Sequence, residues 1–398
     1  MSKEFDEYGE ATTAGALNWK ERELSDEYVS EREKRGTFDI PFFILTVVIL
    51  AIGVVMVLSA SFAREYYSSG NPLKIFSRQA IFAVSGIALM IFTSRFKVAT
   101  MQRWSMLLLV VSIGLLAAVL VIGSRANGAK RWINLGFTTL QPSEITKVAV
   151  VMAFASMICT FKKRMETFKY GVLPFGIIVA IIVALLLCEP HLSASVIIIA
   201  VAAIMMFTGG TRLRWFAMAG IIVALVAFVV VTQFDYAGGR IGAWRDPELD
   251  PQGAGYQIRQ SLLAVGSGGV LGQGLGQSRQ KYLYLPEEHN DYIFAIVCEE
   301  LGFVGAMLIL MLFSLLIIRG FWLALHAKDR YGSLIVTGIT SLLAIQVFLN
   351  VAVVTNLLPS TGISLPFFSY GGTALWIQLV EMGIILAVSR EIPLAKAG

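Results

Sequence analysis

The sequence has little charge and few cysteines for its length. Only 15% of its 398 residues are Asp, Glu, Lys or Arg, and 56% are hydrophobic, which argues against a water-soluble domain of this size. The three cysteines, Cys159, Cys188 and Cys298, lie in or beside apolar runs without metal-ligand spacing. They are therefore interpreted as small apolar side chains rather than as a disulfide or zinc framework. Because residues 1–39 are polar and lack a small-residue cleavage site, we expect no cleaved signal peptide.

What the sequence has instead is a series of apolar runs of about 20 residues, the length that crosses a hydrocarbon core. They predict an all-α, polytopic membrane protein with about ten transmembrane helices. The predicted spans are 40–61, 78–94, 104–123, 142–161, 171–188, 192–208, 214–233, 291–318, 331–356 and 371–389.

Positive charge in the connecting segments predicts the topology. Lys and Arg recur in the segments 95–103, 162–169, 209–214 and 319–330, which fall on one side if both termini are cytoplasmic. The predicted organisation is a cytoplasmic acidic tail, a transmembrane domain and a short cytoplasmic C-terminus, at 1–39, 40–390 and 391–398. The longest predicted outer loop is 234–290, and loops of that length are usually functional.

The N-terminal segment 1–39 holds eleven acidic and six basic residues and shows no apolar face. This composition is typical of a disordered tail or a short surface helix. Either a solvated tail or a binding segment for a cytosolic partner fits the pattern.

The segment 285–294 (LPEEHNDYIF) concentrates charge where the eighth apolar run begins. Asp291 lies at the predicted boundary between water and lipid, where a carboxylate can meet the polar head of a lipid-linked substrate. Its position near a helix N-terminus also fits a capping role, which Asn290 could fill equally well. We therefore take Asp291 as a candidate catalytic residue. The nearby His289 is a supporting residue at most, because one intervening residue places the two on different helix faces.

Two carboxylates, Glu299 and Glu300, fall inside the same apolar run, where charged side chains are costly and seldom incidental. Adjacent residues on a helix point about 100° apart, so the two cannot face one spot. We expect one of them to pair with a cation such as Lys147, or to have a supporting role in the site.

Cations, an aromatic ring and a helix start come together in the segment 124–147. Pro142 and Ser143 are typical of a helix N-terminus, and Glu144 and Lys147 are spaced to share a helix face. The indole ring of Trp132 suits a position at the membrane interface or a contact with the face of a sugar ring. The candidate residues of this segment are Arg125, Lys130, Arg131, Trp132, Glu144 and Lys147.

Two further segments are rich in glycine. The run 266–276 lacks the residues that close a phosphate-binding loop, and it is interpreted either as a hinge or as an anion-binding nest. The segment 359–372 combines glycines with prolines between two apolar runs, which favours a re-entrant segment over an ordinary outer loop. The region 257–265 predicts a short amphipathic helix in the interface.

Five motifs in order give the sequence a resemblance to a known family. They are Asn127–Ile133 with Gln141–Glu144, Gly255–Gln257, Leu285–Ala295, Glu299–Gly302 and Leu365–Gly372. Over residues 40–390 the chain resembles the SEDS family (shape, elongation, division and sporulation) of bacterial membrane proteins, the FtsW and RodA type. The acidic tail and the glycine-rich run look more like the division branch. The chain departs from the family at 189–191, where Glu-Pro-His stands in place of a Pro-Asp step.

The resemblance implies a peptidoglycan glycosyltransferase that polymerises lipid II on the outer face of the bacterial cytoplasmic membrane. It implies Asp291 as general base, an inverting attack, and cations that stabilise the departing pyrophosphate. It also implies a class B penicillin-binding protein as partner, with other division proteins as further partners and no nucleic acid. No cofactor is required, although a divalent cation, Mg²⁺ or Mn²⁺, could share the neutralisation. The candidate cations are Arg78, Arg125, Lys130, Arg131, Lys147 and Arg245, and the supporting residues are Trp132, Glu144, His289, Glu299 and Glu300.

Two other functions remain open from the sequence. A lipid II flippase would line its path with charges such as Lys147, Glu299, Glu300 and Glu381. A non-enzymatic division scaffold would tolerate loss of the Asp291 carboxylate. The gathering of charge toward one side, and the lack of an internal repeat, favour the enzyme.

Overall fold

The computed structural model describes residues 37–126, 129–134, 136, 138–233, 235–249 and 253–392. This part of the chain forms thirteen α-helices, three short strands and two 3₁₀ turns. The helices are α1 (Ile40–Ser69), α2 (Lys74–Thr93), α3 (Val98–Ile122), α4 (Pro142–Phe161), α5 (Phe168–Gly171), α6 (Leu173–Cys188), α7 (Leu192–Thr208), α8 (Leu213–Gln233), α9 (Asp235–Arg245), α10 (Ala254–Ser267), α11 (Ile293–Leu325), α12 (Arg330–Val354) and α13 (Gly372–Ser389). The strands are β1 (Ser124–Ala126), β2 (Ala129–Asn134) and β3 (Thr139–Leu140), and the 3₁₀ turns are Lys162–Glu166 and Pro247–Leu249.

Eight helical stretches in the described residues are long and apolar enough to cross a membrane. They are α1, α2, α3, α4 with the following 3₁₀ turn, α5 with α6, α11, α12 and α13. The apolar α7 is shorter, with 17 residues, and α8 coincides with the predicted seventh span. The prediction of an all-α, polytopic membrane protein is confirmed.

Side-chain caps explain where two of the helices begin. Asp39 accepts a hydrogen bond from Phe42 N at 2.9 Å, and a proline stands in the first turn of α1. Asp329 caps α12 in the same way through Gly332 N at 2.6 Å. At the other end of α1, Gly70 takes φ 68°, a left-handed conformation that glycine adopts without strain.

The core of the bundle is built on α4, α12 and α13, because the residues in their apolar, membrane-length stretches are mostly buried inside the protein. α13 packs along α2, α3 packs along α4, and α11 packs against both α12 and α1. In α4 the side chains from Val148 to Ala155 are all buried, which places this helix at the centre with protein on every face. By contrast α6 is buried over only a small part of its length and lies at the periphery.

Helix α11 is broken at Gly302, which has φ 68° and ψ −169°. The glycine-rich segment fills the break: Phe303 N and Val304 N donate to the carbonyls of Gly269 and Val270 at 2.9 and 3.1 Å. Both backbones approach so closely that a Cβ on Gly302 would lie 2.2 Å from Gly272 N. Only glycine permits this contact, and the freed amides stay bonded within the protein, as membrane depth requires.

Between α8 and α11 the predicted long loop holds more helical structure than the single short helix that was predicted there. The segment holds α9, a 3₁₀ turn and α10, and α10 extends the amphipathic helix predicted at 257–265 to Ala254–Ser267. The region 124–140 also differs from prediction, because β1, β2 and β3 form an antiparallel sheet in that order. Thr373 at the start of α13 donates to the carbonyl of Thr139 at 2.8 Å and fixes the sheet to the bundle.

The segment 356–371 has no helix or strand and is largely buried, as the prediction of a re-entrant segment required. Phe367 and Phe368 are fully buried against Phe313 of α11, with ring centroids 6.5 and 5.8 Å away. A Cβ on Gly53 of α1 would lie 2.4 Å from the carbonyl oxygen of Phe367, so the segment enters the bundle between these two helices.

Candidate functional site

Asp291 stands just before α11, with its backbone fixed from two sides. The Asn350 side-chain amide in α12 donates to the carbonyls of Asp291 and Ile363 at 2.8 and 2.7 Å. A Cβ on Gly362 would lie 3.1 Å from Asp291 Oδ2, so the segment 356–371 runs directly past the carboxylate. Gly362 has φ +73°, which explains a glycine at this position.

The residues around Asp291 are bound to the segment 356–371 over several positions. Ser369 Oγ donates to the Asn290 carbonyl at 2.8 Å, and Tyr370 N donates to the His289 carbonyl at 2.9 Å. The His289 ring lies against that of Tyr370 with centroids 5.9 Å apart. Together with the Asn350 bonds, these contacts make the backbone beneath Asp291 a rigid support.

The environment raises the pKa of Asp291 to about 6. Burial is the main cause, and the Glu287 carboxylate adds to it, whereas Arg240, Arg131 and His289 oppose it. Part of the Asp291 residue is exposed to solvent, so a ligand can reach its carboxylate although protein surrounds it on most sides. A pKa near neutrality suits a proton acceptor that must be ionised at physiological pH.

Two guanidinium groups contribute positive charge near this carboxylate. Arg240 of α9 donates to the Ser360 carbonyl at 2.8 Å. Arg131 of β2 donates to the Glu189 carbonyl at 3.3 Å and also to the Pro190 carbonyl. Arg131 has neutral acceptors in these bonds, so its positive charge remains available to an anion.

Neighbouring residues on β2 point to opposite faces, so Arg131 and Lys130 cannot serve one site together. Lys130 is partly buried. The Trp132 carbonyl accepts a hydrogen bond from Ser124 Oγ at 3.1 Å. Arg78 and Arg245 are exposed, near the starts of α2 and of the 3₁₀ turn. The side chain of Arg125 lies outside the described residues.

Glu144 and Lys147 form an ion pair at 2.8 Å within the bundle, with side chains 10% and 4% exposed. The buried Glu381 of α13 is near enough to interact electrostatically with both. Lys147 is therefore neutralised inside the core, and the structure gives it no free charge for a pyrophosphate.

The expected pairing of Glu299 or Glu300 with Lys147 is wrong. The Glu300 carboxylate binds Lys281 Nζ at 3.0 Å, and Ser59 Oγ donates to its two oxygens at 2.6 and 2.7 Å. The Glu299 carboxylate accepts from Ser278 Oγ, Arg279 N and Gln280 N.

The backbone carbonyls of these two glutamates are also in use, since they accept from Gln273 N and Gly274 N, each at 3.0 Å. Both glutamates thus fasten the glycine-rich segment to α11. This segment is a structural clasp, and its amides at 273 and 274 are not available as an anion nest.

Glu288 and His289 complete a second group of charges near Asp291. Glu288 is 1% exposed and lies 3.5 Å from both His289 Nδ1 and Arg64 Nη1. Arg64 Nη1 is also 3.5 Å from His289 Nδ1. This cluster links α1 to the segment that carries Asp291, consistent with a supporting role for His289.

Sequence reasoning assigned no role to the polar pair Glu189 and His191. Both are buried, and Glu189 Oε1 and His191 Nδ1 lack hydrogen-bond partners within the described residues. Burial raises the pKa of Glu189 to about 7 against the influence of Arg131. Burial, with Arg131 and Lys147, lowers the pKa of His191 to about 3. The only sequence signal was the unusual Glu-Pro-His order.

No three His, Cys, Asp or Glu side chains within the described residues converge on a common metal position. The charged groups near Asp291 are instead the guanidiniums and carboxylates named above.

Comparison with known proteins gives a consistent picture. Residues 40–393 match the model of the family of FtsW, RodA and SpoVE, described as "Cell cycle protein". The stage V sporulation protein E of Bacillus subtilis is 42% identical over 360 residues, which cover 90% of this chain and 98% of that protein. A protein of Trichlorobacter lovleyi named probable peptidoglycan glycosyltransferase FtsW is 40% identical, covering 90% of this chain and 94% of its own.

Two solved structures have the same fold. One belongs to a study described as the structural coordination of polymerization and crosslinking by a peptidoglycan synthase complex, with a TM-score of 0.74 and 26% identity. It covers 90% of this chain and 99% of the matched chain. The other is the rod shape determining protein RodA of Thermus thermophilus, with a TM-score of 0.66, 26% identity and coverage of 90% and 98%. The family resemblance drawn from the five motifs is confirmed, and the division branch stays a prediction.

Proposed function

The chain belongs to the FtsW, RodA and SpoVE family, and from that premise we propose that it polymerises lipid II into glycan strands. The reaction would take place on the outer face of the bacterial cytoplasmic membrane, with both termini in the cytoplasm. Relatives named as probable peptidoglycan glycosyltransferases support the class of reaction. The single observation that carries the assignment is the Asp291 carboxylate, partly accessible, with a pKa of about 6 and a bonded backbone beneath it.

Asp291 is the general base of this mechanism. Its carboxylate accepts the proton of the 4-hydroxyl of the acceptor's N-acetylglucosamine as that oxygen attacks C1 of the donor's N-acetylmuramic acid. The new glycosidic bond forms as the bond from C1 to the pyrophosphate oxygen breaks, with inversion at C1. Undecaprenyl pyrophosphate leaves with the electron pair. General base catalysis of this kind typically contributes about 10²–10⁴-fold.

The charge that develops on the pyrophosphate is stabilised by guanidinium groups near Asp291. Arg131 and Arg240 are the first candidates, because both act electrostatically on the Asp291 carboxylate. Arg78, Lys130 and Arg245 would contact a more distant part of the substrate. A divalent cation, Mg²⁺ or Mn²⁺, carried on the pyrophosphate would share this neutralisation, and polymerisation in the presence of a chelator tests that role.

A class B penicillin-binding protein is the proposed partner. The similar chain from a peptidoglycan synthase complex that coordinates polymerization and crosslinking supports this pairing. The segment from α9 to α10 lies beside the Asp291 site, since Arg240 donates to the Ser360 carbonyl at 2.8 Å and Gln257 Nε2 donates to the Pro286 carbonyl at 3.3 Å. It is the natural surface through which a partner on the outer face would reach the site.

The test is polymerisation of lipid II by the purified chain with its partner, comparing Asp291→Asn with the parent. Loss of the proton acceptor should lower the rate at least about 100-fold while the fold is retained. Asp246→Asn is the matched control, because Asp246 is exposed and its side chain accepts a local hydrogen bond from Glu248 N at 3.0 Å. Near-normal glycan formation by Asp291→Asn would contradict the role of Asp291.

The flippase hypothesis is distinguished from the polymerase hypothesis by supplying lipid II only outside liposomes that contain the chain and its partner. A polymerase makes glycan there, whereas a flippase alone makes none. Three of the charges that would line a transport path, Lys147, Glu299 and Glu300, are instead held by neighbouring groups in fixed contacts. These contacts favour a structural role for them.

A further inference from the structure

A cavity of about 470 Å³ opens at the end of the bundle opposite Asp291. α11 begins beside Asp291 and runs 33 residues, about 50 Å, before α12 starts at this second end. Three cations, one carboxylate, a phenol and a thiol line the cavity: Lys162, Lys163, Arg330, Asp329, Tyr331 and Cys159.

The cavity carries an excess of positive charge. Asp329 Oδ1 is already used as the cap of α12, accepting from Gly332 N at 2.6 Å. Arg330 Nη2 donates to a neutral acceptor, the Gly209 carbonyl, at 3.2 Å. Within the described residues, no carboxylate lies at ion-pair distance from Lys162, Lys163 or Arg330.

Tyr331 supplies a second, independent sign of a ligand. Its side chain is 2% exposed and lines the cavity, and its hydroxyl has no hydrogen-bond partner within the described residues. Buried hydroxyls in folded proteins are nearly always bonded. The hydroxyl itself is covered, so an acceptor oxygen of a ligand would reach and satisfy it once side chains of the cavity wall move aside.

Exposed apolar side chains stand on helices that begin at this end of the bundle. Trp104 on α3 is 57% exposed, two residues from Gln102 in the cavity wall, and Leu213 at the start of α8 is 71% exposed. An exposed tryptophan at the end of an apolar helix is typical of the level of lipid headgroups. The cations and the phenol therefore lie at the depth where phospholipid phosphates are found.

We propose that this cavity binds the phosphate of an anionic phospholipid headgroup at the cytoplasmic surface. Two ammonium groups, a guanidinium and a hydroxyl donor match the acceptor oxygens of a phosphate, and basic pockets between membrane helices bind such headgroups. The site is independent of the proposed polymerase function, because it would exist equally in a transporter or a scaffold.

Cys159 in the wall of the cavity provides a direct reporter. The full chain in a neutral detergent is alkylated with an uncharged maleimide, and labelling of each cysteine is followed by mass spectrometry. Phosphatidylglycerol should slow alkylation of Cys159 at least about 5-fold, and phosphatidylcholine should not. The exposed Cys188 at the Asp291 end is the internal reference and should be unaffected.

Variants then test the chemistry. Lys162→Gln with Lys163→Gln should abolish the protection of Cys159. Lys169→Gln with Arg214→Gln should keep it, because those cations lie on nearby aromatic rings outside the cavity. Tyr331→Phe preserves the shape of the ring and should weaken the apparent affinity for phosphatidylglycerol about 10-fold through loss of one hydrogen bond to a charged group.

Four results would overturn the proposal. Equal protection by phosphatidylcholine, which carries the same phosphodiester, would show that the cavity does not select an anionic headgroup. Protection that survives in the double lysine variant would show that Lys162 and Lys163 do not hold the phosphate. Protection by inorganic phosphate as strong as that by the lipid would assign the cavity to free phosphate. Carbodiimide cross-links from acids in residues 1–36 to Lys162 or Lys163, without lipid protection, would assign it to the acidic tail.

Discussion

The ion pair between Lys281 and Glu300 should be one of the most important polar contacts for stability. Lys281 is 3% exposed and Glu300 1%, and Nζ lies 3.0 Å from Oε1. Lys281→Met keeps the length and apolar stem of the side chain but leaves the Glu300 carboxylate buried without its cation. Breaking one partner of a buried pair costs about 3–5 kcal/mol, which is at least a 100-fold change in the folding equilibrium.

A surface pair supplies the matched control. Arg212 and Glu166 are closer, at 2.6 Å, but their side chains are 52% and 53% exposed. Water already solvates both charges there, so Arg212→Met should cost less than about 1 kcal/mol. The two variants differ in burial rather than in the chemistry of the substitution, and the free energy of unfolding in mild detergent is the measurement for both.

A second substitution separates the charge from the packing. Adding Glu300→Gln to Lys281→Met removes the unpaired carboxylate while leaving an acceptor for Ser59 Oγ and Ser278 N. The double variant should therefore recover part of the lost stability. If Lys281→Met costs no more than Arg212→Met, or if the double variant is less stable still, the clasp around α11 does not depend on this pair.

Two further predictions concern Asp291 itself. Because its pKa is raised to about 6 and the ionised form is the base, kcat/KM should be near its maximum at pH 7, where about nine tenths is ionised, and fall to about a tenth by pH 5. A profile with no loss between pH 7 and 5 would contradict this. Gly362→Ala places a Cβ 3.1 Å from Asp291 Oδ2 and should reduce polymerisation at least about 10-fold, since small misplacements of a catalytic group are costly. Gly276→Ala meets similar backbone strain, at φ +80°, with open space around it, so it should lose similar stability and keep activity.

The arrangement of membrane helices could be predicted from sequence because it depends on local properties. Apolar runs of bilayer length, Pro142 at the start of α4, and the three-residue spacing of Glu144 and Lys147 are all visible within a few residues of one another. Each has the predicted result: a helix, a helix start and an ion pair at 2.8 Å. The prediction that Ser143 caps this helix is wrong, because Ser143 lies in the first turn of α4 and its hydroxyl has no hydrogen-bond partner within the described residues.

Contacts between distant segments could not be predicted in the same way. The sequence contains several cations that could pair with Glu300. Spacing alone gave no reason to prefer Lys281, 19 residues before it, over Lys147. The choice depends on the break at Gly302, which draws the glycine-rich segment against α11 and brings Lys281 with it. The break itself follows from a single glycine whose left-handed conformation has no signature in a hydropathy pattern.

The raised pKa values of the acids near the site could not be predicted from the sequence either. Asp291 was singled out by its motif, but its raised pKa comes from burial and from the Glu287 carboxylate, and burial is set by the folded structure rather than by the motif. Arg240 was one of several outer cations in the sequence, and only its bond to Ser360 shows that it belongs to the site. Glu189 and His191 gave no signal beyond an unusual order of residues.

Different residues hold the backbone of Asp291 and influence the pKa of its carboxylate, and this has a consequence for proton transfer. Its backbone is held by Asn350, while the charges of Arg240 and Arg131 limit the rise in the pKa of its carboxylate. A pyrophosphate that binds those two guanidiniums would offset their effect, because a bound anion screens their field and adds negative charge of its own. The pKa of Asp291 would then rise further, and the carboxylate would become a stronger proton acceptor when the donor is in place. The same cations thus serve to bind the leaving group and to keep the base weaker until the leaving group has arrived.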